Sequence, residues 1–196
     1  MPAKTKAMQL PNLMPKSALI NLLSQPKSKH EITDFALMAK DGRIDVADLL
    51  TLNFHQNEQV AFRSSWILEN VFLSYPSLFT PYAFIFLEKF SLQKNLSCCR
   101  HYGKILALMT KKNASKELKE IIQNIDTKPL VETVFTWLID EGMPVAVKSH
   151  CLNILANLTA KHSWIKDELL ETMDFLMDKE SIAFYAKVKQ IRKQLK

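Results

Sequence analysis

Each of the three tryptophans in this chain is followed by an acid three residues on: Trp66 by Glu69, Trp137 by Asp140 and Trp164 by Asp167. Residues i and i+3 share a helix face, so each pair would set an aromatic plate beside a carboxylate. Arg63 stands three residues before the first pair and adds a guanidinium to the same stripe. Such a set can meet a flat ligand or a phosphate. It can equally be a core aromatic with an acid at its wet edge, and the core reading is the one adopted. Cys98, Cys99 and His101, with Cys151 beside His150, are the residues that a metal or a thiol nucleophile would use. Consecutive helical residues point about 100° apart, so the first three cannot converge alone on one ion. No metal site and no cofactor is expected. The thiols lie in no Cys–His signature, and HExxH, GxSxG, GxGxxG and GxxxxGK[ST] cannot be written from this sequence. Catalysis is the minority reading.

The elements that position these residues are helices. Helical periodicity runs through 16–24, 28–40, 44–54, 57–74, 80–91, 95–112, 115–124, 128–140, 144–160, 163–178 and 180–195. Thr80 reads as an N-cap before Pro81 at N1, and Ser163 as a cap before the acidic turn of Asp167 and Glu168. Asp41-Gly42 and Glu141-Gly142 read as stops, with Gly142 as a left-handed residue just past the helix. The segment 57–74 is apolar round most of its circumference, which marks an interior helix. Three glycines and eight prolines are too few turn-makers for a barrel or sandwich of many short strands. The expectation is an all-α fold.

The longest apolar stretch, Val71 to Leu87, contains Pro76 and Pro81 and does not read as a membrane span. Residues 1–15 are expected to be a basic, mobile arm, and 16–196 a single helical domain. Three cysteines, two of them adjacent, fit free thiols in a reducing, cytoplasmic setting better than a disulfide framework. The formal charge of +6 is concentrated at the ends: residues 1–30 and 185–196 hold five basic residues each and no acid. Of 26 basic and 20 acidic residues, 16 and 20 remain for positions 31–184, a net of −4. An acidic body weakens the case for a long nucleic-acid groove.

The segment V60-A-F-R-S-S-W-I-L-E-N-V-F-L recurs as V145-A-V-K-S-H-C-L-N-I-L-A-N-L, with weaker echoes starting at Cys98 and Ala183. Each copy carries a basic residue near its start (Arg63, Arg100, Lys148 and Lys187) at intervals of 37, 48 and 39. Two-helix units with a period near 40 fit HEAT or armadillo solenoids. The valine-x-x-Arg/Lys helix start resembles the second helix of a HEAT repeat. The resemblance implies a right-handed superhelical solenoid of antiparallel helix pairs over about residues 43–196, with the basic residue of each copy bridging neighbouring repeats. WILE at 66–69, PY at 81–82, FTWLID at 135–140, PVAVK at 144–148 and W164-I-x-x-E-L also resemble a group of short bacterial HEAT-like proteins. Some of that group carry the name adenylosuccinate lyase. The lyase superfamily's GSSxMPxKxN loop has no counterpart here beyond L13-M-P-K-S, so that activity is not expected.

The expected function is therefore binding: a scaffold that engages another macromolecule, a protein by preference, through a helix-lined face. The alternative resembles HEAT-like alkylpurine DNA glycosylases, which set tryptophans and a carboxylate against damaged DNA; Arg63, Trp66 and Glu69 supply those ingredients on one helix. A small enzyme without a recognisable motif is the remaining alternative. The tail Tyr185–Lys196, with Val188, Ile191 and Leu195 at helical spacing among five basic residues, reads as the closing helix of the array. Far-UV circular dichroism should report well over half of the residues as helical and negligible strand. A substantial antiparallel-sheet signal would overturn the architecture.

Overall fold

The structure is a computed structural model that describes residues 13–196. The arm expected over 1–15 lies outside the described residues up to residue 12. From there the order is α1 (Lys16–Ser24), α2 (Lys29–Lys40), α3 (Val46–Leu52), α4 (Glu58–Ser74), α5 (Pro76–Phe79), a 3-10 turn (Thr80–Tyr82), α6 (Ala83–Phe90), α7 (Leu96–Met109), α8 (Lys116–Asn124), α9 (Lys128–Ile139), α10 (Val145–Leu158), α11 (Ile165–Leu176) and α12 (Ile182–Gln194). No strand occurs among the described residues. The chain falls into two compact units, one ending at Leu78 and one running from Phe79 to Lys196.

Several helices start where a side chain satisfies the orphan amides of the first turn. Ser28 and Glu31 form a reciprocal capping box on α2. Asp45, Asn57, Asn95 and Ser115 accept from first-turn amides of α3, α4, α7 and α8. Three expected boundaries differ. The left-handed glycine is Gly42, at φ 73°, and not Gly142, whose amide instead donates to Asp140 Oδ1 at 2.8 Å. Thr80 and Pro81 do not open an α-helix. They form the 3-10 turn that follows α5, and α6 begins at Ala83. Ser163 gives no side-chain cap to α11, whose first turn is closed by main-chain bonds from Ile165 to His162 and from Lys166 to Ser163.

In the first unit α4 is the hub, packed on α2, α3 and α1. Its Val60, Ile67, Leu68 and Val71 are fully buried, as its all-round apolar pattern predicts. In the second unit α10 has that place, packed on α7, α9, α12 and α11. Beside it, α6 packs buried rings on α7 and α9: Phe86 lies 4.7 Å from Tyr102, and Phe90 lies 4.8 Å from Trp137, centroid to centroid. Polar ties join the layers. The Asn157 amide donates to Ala107 O and Thr110 Oγ1 on the α7 side at 3.1 and 3.2 Å, while its oxygen accepts from Gln194 of α12 at 3.1 Å. Lys161 places its ammonium on three carbonyls at the end of α8, Ile122 and Ile125 at 2.7 Å and Gln123 at 3.2 Å. A cation on the last carbonyls of a helix satisfies orphan acceptors and the negative end of the dipole together.

The approach of α7 to α10 depends on Gly103. A Cβ there would lie 3.1 Å from Cβ of His150, an atom fixed to its own backbone and unable to swing away. Gly103→Ala should therefore force the helices apart and cost about 1–3 kcal/mol, the usual range for overpacking, despite alanine's better helix propensity. Urea unfolding checks this; a variant as stable as the parent would show that α7 and α10 can separate freely.

Candidate functional site

The residues singled out by sequence occupy very different environments. On α4, Arg63 is drawn inside: Nη1 donates to Leu23 O at the end of α1 at 2.6 Å, and Nη2 to Gln59 Oε1 at 3.0 Å. Glu69 is buried on the same helix, and Trp66 is half-buried, stacked on Phe62 at 5.8 Å. On α10, Lys148 is 2% exposed and forms an ion pair with Glu180, in the segment between α11 and α12. Arg63 and Lys148 thus join neighbouring helical layers, as the repeat resemblance implies. Arg100 corrects that expectation: it lies exposed on α7 and bridges nothing. Lys187 bonds to Gln190 of its own helix at 2.9 Å.

The tryptophans occupy different environments. Trp137 is buried against Phe90, whereas Trp164 is 48% exposed, stacked on Phe135 at 6.2 Å and next to His162. Asp140 is exposed and occupied with the Gly142 turn. Asp167 is exposed in the first turn of α11, where an acid favours the positive end of the helix dipole. The tryptophan-to-acid spacing is thus a shared sequence pattern with three separate uses.

The three cysteines form no disulfide and are buried. Burial, reinforced by neighbouring Cys98, pushes Cys99 up to about 12. Burial also raises Cys151 well above the ordinary thiol range. A thiol held protonated is a poor nucleophile and a poor metal ligand. Among the described residues no group of three or more His, Cys, Asp or Glu side chains is placed to hold a metal ion.

Open surface of distinctive chemistry lies elsewhere in the second unit. Between α11 and α12 runs a groove of about 810 Å³. Leu170, Met177, Val188 and Leu195 give it an apolar floor, and Lys166, Lys189, Arg192, Lys193 and Lys196 a cationic rim. Asp174 pairs with Arg192 at one side. The signal was present in the sequence: Tyr185, Lys189, Arg192 and Lys196 recur at spacings of 4, 3 and 4, one stripe of a helix. The α11 wall carried no comparable signal, since Lys166, Leu170 and Met177 gain meaning only opposite α12. A second trough, about 870 Å³, lies beside Lys111, Lys112, Lys119 and Lys161. There Lys161 is committed to the α8 carbonyls, and burial lowers its pKa from the ordinary lysine value against the opposing pull of Asp126.

The two arginines make a matched test. Arg63→Ala should cost about 1–3 kcal/mol, because the Leu23 carbonyl loses its buried donor. Arg100→Ala should stay within about 0.5 kcal/mol of the parent, as an exposed surface side chain. Equal losses in denaturant melts would contradict the division drawn between them.

A family model for the HEAT repeat domain matches residues 19–195, nearly the whole chain. No curated protein and no solved structure gives a match. The matched span covers α1 through α12 almost entirely, including both hubs and the layers that Arg63, Lys148 and Asn157 join. No helix among the described residues is long and apolar enough to cross a membrane. With a helix-only architecture, layers tied at a recurring basic position and a family match from end to end, the chain belongs to the HEAT repeat family.

Proposed function

We propose that this chain is a non-catalytic repeat scaffold that binds another protein through exposed helix faces. Its family membership supports the reading, since repeat solenoids present extended surfaces for partners. The single observation that carries it is the disposition of reactive groups. The thiols are enclosed, Arg63 and Lys148 tie helices together, and the exposed chemistry lies along helix surfaces such as the α11–α12 groove. A reducing, cytoplasmic setting accords with three buried cysteines that form no disulfide.

Nucleic-acid binding is the second reading. Arg100 and Lys104 stand one turn apart on α7, with Lys111 just beyond its end, and could receive a phosphate backbone. Against it stand the net −4 of residues 31–184 and the inward placement of Arg63, the guanidinium that a glycosylase-like site would need.

Affinity purification of the full chain after lysine-directed cross-linking, with and without nuclease, separates the two. A protein partner should be recovered equally from nuclease-treated samples, with cross-links on exposed helix lysines. Recovery that vanishes with nuclease, or tight duplex binding that weakens steeply with salt, would put nucleic acid first. Removing 186–196 is not a suitable control, because Val188 and Ile191 of α12 are core residues.

A further inference from the structure

The groove between α11 and α12 combines two demands that few ligands meet together. Its floor is apolar (Leu170, Met177, Val188 and Leu195), so an occupant must bring apolar groups that reach down into it. Its rim is cationic along the second half of α12 and just past its end. Lys189, Arg192 and Lys196 follow one another by 3 and 4 residues, with Lys193 beside them and Lys166 across on α11. The stripe from Tyr185 to Lys196 extends roughly 16 Å at 1.5 Å per residue. Asp174 neutralises Arg192 in part, and no acidic side chain lines the groove itself.

Building on the protein-binding reading above, we infer that this groove docks an acidic amphipathic segment of a partner protein. Apolar side chains of that segment fill the floor while its carboxylates meet the rim. Charge complementarity over about two helical turns identifies the occupant, because cations spaced by 3 and 4 residues face acids at the same helical spacing. A single-headed anionic amphiphile would engage one end of the rim and leave the other cations unanswered. Nucleic acid offers phosphates to the rim but no aliphatic side chains for the floor, so that surface would remain unfilled. A membrane fits less well still. Its insertion requires apolar groups that project beyond the charges, and here they lie recessed beneath them.

The test uses the full chain and a fluorescein-labelled synthetic peptide of about fourteen residues, four helical turns, with leucines on one face and glutamates elsewhere. Fluorescence anisotropy should give saturable binding that weakens at least about tenfold between low and high salt. Lys189→Glu combined with Lys193→Glu, both exposed positions, should weaken it at least about tenfold while leaving the circular dichroism and melting temperature unchanged. Leu170→Gln should also weaken it, whereas binding of polyglutamate should be unaffected by that change. Equal binding of a peptide with the same composition but scattered leucines would overturn the inference, reducing the groove to a charged surface. Displacement of the peptide by single-stranded DNA or by phosphatidylserine vesicles would assign it to another occupant. Concentration-dependent self-association abolished by the lysine variants would assign it to a second copy of this chain. If the peptide fails to bind while nuclease-resistant protein cross-links persist elsewhere, the scaffold reading stands and this site falls.

Discussion

Helix α10 is enclosed by α7, α9, α11 and α12, and a helix enclosed on that many sides can carry a charge only where a neighbour answers it. Lys148 sits on that helix, 2% exposed, and Glu180 answers it from the turn before α12. Removing one partner of such a pair leaves an uncompensated buried ion, which costs far more than the pair contributes. The pair therefore fixes where the last helix begins relative to the hub. The same constraint acts on α4, where Arg63 is answered by a main-chain carbonyl at the end of α1. In both units the basic residue of the second helix sets how the layers stack, and the outer faces follow from that stacking.

Ties made by the main chain complement these charges. Lys161 gathers the carbonyls that α8 leaves unpaired, and His162 next to it lies 2.6 Å from Thr127, just before α9. Asn157 links α7, α10 and α12 through one amide. An amide that donates on one side and accepts on the other has little freedom to slide, so these contacts specify register as well as adding stability. Gly103 does the same by shape, admitting His150 where any side chain would intervene.

Most helices were legible from periodicity, since a stripe of apolar residues reports burial whatever the neighbour. The boundaries that differed depend on main-chain geometry that residue type does not settle. Gly42 and Gly142 both follow an acid, yet only Gly42 takes the left-handed conformation, because the Asp140 side chain folds over the second turn and binds the Gly142 amide. At the site, spacing identified a repeat position but not what lay opposite it. Arg63, Arg100 and Lys148 share a place in the pattern. Arg63 meets a helix end, Lys148 meets an acid, and Arg100 meets solvent. The three tryptophans diverge for the same reason. The groove was half legible: α12 shows its basic stripe in sequence, while α11 contributes three unremarkable residues whose role depends on the opposite wall.

The buried thiols have a consequence for time rather than for chemistry. Cys98, Cys99 and Cys151 lie on the two helices, α7 and α10, whose contact dominates the second unit. Enclosed, they become available to a solvent reagent only when the packing around them opens. The rate at which such a reagent consumes them in the native protein therefore counts openings of the packing around α7 and α10. Each molecule carries, without any added label, a clock for the opening of that packing.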